Sequence, residues 1–278
     1  MSQQPPERIF AVKRQLPVRV GWVVGKAARP TSLAYHREIE FHFVKHGCGC
    51  YFIAGKNYPF SKNSLLIIPS NNLHNFIPQA EAHVEKGTII FSASLLKANW
   101  RLARFQSGVP HHVKLSEEEA TRIEIILRHI GEENKYQQEF CSEIIRLKVM
   151  EFLFVVKRAL KRPEPAPVEN PVITKLLEYI EAHYARHVKV ASIAREFGYS
   201  ERHLARMFKR YAGLGIKHFI LQRQIAEAKR YLEDQPSLRV DAVSENVGFV
   251  DFAEFNRAFK IIAGITPSAY RRISHPHV

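Results

Sequence analysis

The sequence predicts an α+β multidomain protein: a small antiparallel β barrel with two helices behind it, then an all-helical domain. Three observations predict it. Apolar residues alternate with polar ones in the first hundred positions and recur at helical spacing after Ser116, the periods of a strand and of a helix. The stretch Pro163-Glu164-Pro165-Ala166-Pro167-Val168-Glu169-Asn170-Pro171 holds four prolines in nine residues. Proline removes a backbone donor and keeps the residue before it extended, so this is a semi-rigid linker. Beyond it, one plan of helix, glycine turn and helix occurs twice, the helix–turn–helix arrangement.

Residues 18–92 read as strands. Ile39-Glu40-Phe41-His42-Phe43-Val44 alternates until Gly47 and Gly49 break it. Cys50 to Ala54 follows, then a Gly55-Lys56-Asn57 turn, then the apolar run Ser64 to Pro69. Short strands at this spacing indicate an antiparallel barrel or jelly roll. At Ser116 the period changes. Ser116 with Glu119 three residues on forms a capping box, and Ile123, Ile126, Leu127 and Ile130 share one helix face. A second helix runs from about Glu139 to Leu160, with an apolar stripe of Ile144, Ile145, Leu147, Phe152, Val155 and Val156. The limits expected are 1–115 for the β domain, 116–162 for the helical pair, 163–171 for the linker, 172–273 for the helical domain and 274–278 for a tail. The helical pair packs on the barrel or joins two copies in a dimer.

Composition narrows the function classes. The 278 residues are 46% hydrophobic and 24% charged, which excludes disordered and collagen-like chains. The longest strongly apolar run, Phe152–Val156, is far short of a membrane span. The start, Met1-Ser2-Gln3-Gln4-Pro5-Pro6, has no apolar segment behind it, so no secretory signal is expected. Cys48, Cys50 and Cys141 do not make a disulfide framework, and a reducing cytoplasm is expected. Lys and Arg number 41 against 27 Asp and Glu, a net charge of +14. Such a chain is drawn to polyanions. Most of the excess precedes the linker: 24 basic and 14 acidic residues through 162, 17 and 13 after it.

In the first helix pair, Val190, Ile193, Ala194 and Phe197 form one face and Gly198 ends the helix. Ser200 caps the next helix, which Leu204, Met207 and Phe208 anchor. The second pair repeats this with Val240, Val243, Ser244 and Val247, then Gly248, Asp251, Phe255 and Phe259. Ala194 and Ser244 occupy matching places where helices touch. Ile216–Leu232 is a helical strut between the pairs, long enough at 1.5 Å per residue to set two helices into successive DNA major grooves.

Residues 172–273 resemble the DNA-binding domain of the AraC/XylS family of bacterial transcription regulators. The closing run Gly248-Phe249…Phe255-Asn256-Arg257-Ala258-Phe259-Lys260…Gly264-Ile265-Thr266-Pro267-Ser268-Ala269-Tyr270-Arg271 carries the likeness, with Ser200…Leu204…Arg206…Phe208-Lys209 as its first-half counterpart. Gln224, beside Arg223, departs from the pattern. The resemblance implies a sequence-specific DNA-binding transcription regulator and not an enzyme, more often an activator. Its partners would be double-stranded DNA, RNA polymerase, a small-molecule effector and a second copy of the chain, with no membrane. It places Arg202, His203, Ala205, Arg206, Phe252, Ala253, Asn256 and Arg257 toward the groove. Arg matches guanine and Asn matches adenine in bidentate fashion, and apolar groups touch the thymine methyl. Lys209, Arg210 and Lys260 would meet phosphates, which position without specifying.

Tyr35 to Gly47 and Asn63 to His74 resemble the two half-motifs of a cupin, a jelly-roll sensor domain. His36, Glu40 and Gly47 match the first half, and Pro69 and His74 the second. Ala34 and Asn71 stand where the pattern has His and Gly. The resemblance implies an effector pocket that includes His36, Glu38, Glu40, His42 and His74. No cofactor is expected. The alternative is a divalent metal on His36, Glu40 and His74, since two imidazoles and a carboxylate suit such an ion.

Overall fold

The protein is described from a computed structural model that covers residues 18–26, 33–96, 105, 108–186 and 188–275. The polar start and the last three residues of the expected tail lie outside the described residues. The chain forms two compact units that part between Val168 and Glu169, with the short segment Ser32–Ala34 belonging to the second.

The first unit holds strands β1 (Val18–Lys26), β2 (Ile39–His46), β3 (Gly49–Ile53), β4 (Lys56–Phe60), β5 (Ser64–Ile68), β6 (His74–Pro78), β7 (His83–Phe91) and β8 (His111–Lys114). They form a five-stranded sheet in the order β1-β7-β2-β5-β8 and a three-stranded sheet β4-β3-β6. Every pairing is antiparallel. β8 lies beyond the strand-like region read from sequence, being short and carrying only one apolar residue, Val113.

Helices α1 (Glu117–Tyr136) and α2 (Cys141–Ala159) cover one face of the larger sheet. The capping box at Ser116 forms: its side chain accepts from Glu119 N–H while the Glu119 carboxylate accepts from Ser116 N–H. β2 is therefore buried on both faces. Phe41 and Phe43 sit in the helix-covered core, where Phe41 meets the Phe152 ring at 5.1 Å. The alternate residues turn to the other sheet, where Val44 packs with Tyr51, Ile53, Leu66 and Ile68. One expectation is corrected. Leu147 is 71% exposed, while Ile145, Val149, Phe152 and Val156 face the core. Two residues past Ile145 is about 200° of helix, which points Leu147 outward.

The second unit is helical: α3 (Pro171–His183), α4 (Val190–Glu196), α5 (Glu201–Ala212), α6 (Ile216–Asp234), α7 (Val240–Asn246), α8 (Phe252–Ala263) and α9 (Pro267–Ser274). Both pairs are built alike. Gly198 and Gly248 take the left-handed conformation, φ 71° and 92°, at the turns, where a side chain is costly. Ser200 Oγ accepts from His203 N–H, and Asp251 Oδ1 from Ala253 N–H. Ala194 and Ser244 are buried. Ile225, Ala228 and Leu232 of the strut pack on Phe255 and Phe259. Among the described residues no helix is long and apolar enough to cross a membrane.

Candidate functional site

The second helix of each pair is anchored by one stripe and presents the other. Leu204 and Phe208 are fully buried on α5, as are Phe255 and Phe259 on α8. The opposite face of α5 exposes Arg202, His203, Arg206, Lys209 and Arg210, with Ala205 half-buried. That of α8 exposes Phe252, Ala253, Arg257 and Lys260, with Asn256 half-buried. Each expected groove-facing residue thus lies on the presented side. Arg202, Arg206 and Arg257 make no ion pair among the described residues. Two details modify the set. His203 stacks on Tyr199 at 5.4 Å, which holds its ring beside the turn. Asn256 Nδ2 donates to Phe252 O at 3.0 Å, leaving its carbonyl oxygen as the uncommitted end.

Arg223 behaves differently. Its guanidinium bridges Glu181 and Glu227 and lies 4.4 Å from the centre of the Tyr184 ring. Burial opposes its charge, yet the hydrogen bonds it donates to Glu181 and Glu227 hold its pKa above the ordinary value. Gln224 donates to Tyr184 O. Both residues brace the strut.

Between the two sheets of the first unit, polar groups converge on one carboxylate. Glu40 Oε2 lies 2.8 Å from His36 Nε2 and 2.9 Å from His74 Nε2. Its other oxygen lies 2.6 Å from His42 Nε2, at an angle that leaves that nitrogen without a well-formed hydrogen bond. Tyr51 Oη lies 2.7 Å from His42 Nδ1, and Thr88 Oγ1 lies 3.4 Å from it. The outer nitrogens of the two remaining rings meet backbone carbonyls: His36 Nδ1 that of Glu38 at 3.2 Å, His74 Nδ1 that of Asn72 at 2.9 Å. Each of these two rings therefore faces an oxygen acceptor at both nitrogens: Nε2–H donates to Glu40, and the carbonyl at Nδ1 fixes the orientation of the ring. Glu38 stands at the rim, paired with Arg19 at 3.0 Å.

The ionisation states follow from burial and charge. Burial alone would raise the Glu40 pKa, but the neighbouring His42 and hydrogen bonds from His36 and His74 hold it well below the carboxylate range. Burial pushes His42 down to about 4; the Glu40 charge opposes this, and the Lys86 charge adds to it. For His36 burial is outweighed by the Glu40 hydrogen bond and by Glu40 and Glu38 charges, so its pKa is raised. His36, Glu40 and His74 each offer one ligand atom, all within 4.8 Å of one another, an arrangement that can hold a metal ion.

Sequence reasoning missed Tyr51, Lys86 and Thr88. Thr88 lies directly opposite His42 in the sheet, forty-six residues away in the chain, and only strand register brings the two together. It missed His111 and His112 as well, both buried. Burial and the Lys114 charge push His112 down to about 4 against the Glu164 charge.

Known proteins agree with this division. Residues 23–147 match the family described as AraC-like ligand binding domain, and residues 193–273 match the family described as helix-turn-helix domain. The HTH-type transcriptional activator RhaR of Salmonella schwarzengrund is 22% identical over 247 residues, 86% of each chain. The HTH-type transcriptional activator AarP of Providencia stuartii is 30% identical over 103 residues, 37% of this chain and 76% of that one. The Msm operon regulatory protein of Streptococcus mutans is 31% identical over 100 residues, and the match spans 36% of that protein's length. The structure of ToxT from Vibrio cholerae aligns with 91% of this chain and 97% of that one, at 12% identity and a TM-score of 0.38.

Proposed function

The chain belongs to the AraC family of helix-turn-helix transcription regulators, and from that premise we propose how its residues divide the work. It is a DNA-binding regulator whose first unit is a ligand-binding domain. Arg202, Arg206, Asn256 and Arg257 read base edges, with Ala205, Ala253 and Phe252 against thymine methyls. His203, braced on Tyr199, flanks the first set. Lys209, Arg210 and Lys260 hold phosphates. The observation that carries this reading is the pair of matched turns that present arginines, without an ion pair among the described residues, on helices whose other faces are buried.

A small-molecule effector enters between the two sheets and contacts the group of His36, Glu38, Glu40, His42 and His74. By binding one arrangement of the regulator more tightly it shifts the population toward that arrangement. The protein acts as a homodimer in the cytoplasm and contacts RNA polymerase as an activator, the mode named for RhaR and AarP. Exposed Phe140, Leu147 and Phe154 on and beside α2 offer the dimer an apolar surface.

The test is selection of bound sequences from a random duplex pool by the purified full-length protein. An enriched motif of two blocks about ten base pairs apart supports the reading. Binding that shows no motif and vanishes with salt overturns it.

A second reading has one observation behind it. With their Nδ1 atoms on backbone carbonyls, His36 and His74 can give up the Nε2 protons that meet Glu40 and turn those lone pairs to an ion shared with it, so the donor set fits a divalent ion. Such an ion would fix the rim of the two-sheet site. Equilibrium dialysis with zinc decides it: one ion per chain, lost in His36→Ala with His74→Ala, supports it, and equal uptake by both proteins rules it out.

A further inference from the structure

The proline-rich segment between the two units is docked along the first. It begins at the end of α2, where Arg162 pairs with Glu119 and donates to Lys114 O at 3.2 Å. Glu164 then meets β8. Both its carboxylate oxygens lie 3.0 Å from His111 Nδ1, and one accepts the His112 backbone N–H at 3.3 Å. The His111 side chain is only 8% exposed. Four residues later Val168 meets β4. It exchanges both backbone hydrogen bonds with Asn57, at 3.0 and 2.6 Å, as an isolated antiparallel bridge.

The two anchor points are not equivalent parts of one sheet. β8 is the edge of the five-stranded sheet, and β4 is the edge of the three-stranded one. Edge strands carry backbone groups that a sheet does not satisfy, and a passing segment can pair with them. The segment therefore ties one sheet to the other across their seam. Proline at 163, 165 and 167 keeps it extended, so a change in the gap between the sheets reaches it undamped. While it is docked through Val168, only Glu169 and Asn170 separate the first unit from α3. Released back to Glu164, the tether grows to six residues, from about 6 to about 19 Å at roughly 3.1 Å per residue.

We propose that this segment is a clasp: held by Glu164 on β8 and Val168 on β4, it keeps the tether to the DNA-binding unit short, and separation of the two sheets releases it. The proposal rests on the reading that an effector binds between those sheets. An effector that spreads them trades a short tether for a long one. The spacing of DNA sites that a dimer can span then changes with no alteration at the recognition helices. A short tether holds a dimer's reading heads to one spacing, and a longer one reaches several.

The test uses the full-length protein and two variants. Glu164→Gln keeps the shape of the residue and removes its charge from His111. The second joins Asn57→Cys to Val168→Cys by a disulfide, with Cys48, Cys50 and Cys141 changed to Ser. Residues that exchange both bridge hydrogen bonds lie close to disulfide distance. Hydrogen exchange is measured first. Glu164→Gln should speed exchange of the Asn57 and Val168 amides about tenfold and leave β2 and β5 unchanged; equal rates in wild type and variant overturn the clasp. Binding is then measured on duplexes that carry two copies of the selected motif at different spacings. The locked protein should prefer one spacing more sharply than wild type, and Glu164→Gln less sharply. Identical spacing profiles in all three overturn the regulatory role. If no motif is selected, the DNA reading fails, and the exchange rates still decide the clasp.

Discussion

The two units place their ionisable groups in opposite ways. In the first unit Glu40, His42, His74 and Lys86 are 4–6% exposed, and Glu40 with its histidines forms one closed network. In the second, Arg202, Arg206, Arg257 and Lys260 stand on exposed helix faces. Buried charge is expensive unless paired, so the first arrangement ties protonation to folding. Exposed charge costs the fold little and stays available to a partner. The difference teaches where conditions act: pH on the stability of the β unit, salt on the binding of the helical one.

The largest expected effect sharpens the first half of that contrast. His42 and His112 are held near 4 in the folded protein, against about 6.5 in an unfolded chain. Between those values the unfolded state binds more protons, so stability falls as pH drops from about 6.5 to 4, by about 3 kcal/mol for each group. His36 acts oppositely, since its raised pKa gives stability that is present at low pH and lost as pH rises through the folded value. Glu40 contributes above its unfolded value of about 4.5 and loses that contribution as pH falls below it. Both tryptophans, Trp22 and Trp100, precede the linker, so their fluorescence in urea reports the β unit. It should show the acid loss, and His112→Gln should shallow it. Amide protection of α6 and α8 in the second unit, corrected for the pH dependence of free amides, should not fall; equal acid loss in both units breaks the comparison.

The next effect shows where the second unit keeps its stability. A Cβ on Gly248 would come within 2.4 Å of Ala185 O, while one on Gly198 meets nothing within 4 Å. Both turns need a left-handed residue, which costs a side chain about 1–2 kcal/mol. Gly198→Ala should lose about that much in urea unfolding and Gly248→Ala visibly more; equal losses would mean that the backbone at Ala185 yields. Arg206→Ala should leave stability unchanged and cost about 1–3 kcal/mol on the selected DNA site, with relaxed preference there. Asn256→Ala should cost less, below about 1 kcal/mol, because its amide is committed to Phe252 O. An equal loss in titrations of the two variants would show that the Asn256 contact breaks on binding. The smallest effect is expected at Lys209→Ala: a uniform weakening across sequences and a salt slope lower by about one. A loss confined to one motif would make Lys209 a base reader.

Much of this was legible in the sequence, for a physical reason that can be seen residue by residue. Ser116, Ser200, Asp251, Gly198 and Gly248 act within a few residues of themselves, so their chemistry states the helix ends directly. The exposed faces of α5 and α8 follow from which residues are apolar, and Arg202, Arg206 and Arg257 lie where periodicity puts them. Leu147 did not follow, because an apolar residue on the edge of a stripe points in or out by a fraction of a turn.

What the sequence determined by itself was therefore local and periodic: the change from strands to helices at Ser116, the proline-rich break, the two glycine turns and the arginines presented beside them. Only the tertiary structure decided which distant groups meet. Strand register set Thr88 opposite His42. The crossing of two sheets placed Tyr51 against His42 and closed three imidazoles on Glu40. The fold of the chain onto itself laid Glu164 on His111 and Val168 on Asn57. Helix and turn signals come from interactions between near neighbours in the chain, whereas His74 on Glu40, Thr88 opposite His42, Glu164 on His111 and Val168 on Asn57 join residues dozens to more than a hundred positions apart, whose pairing exists only once the sheets have packed.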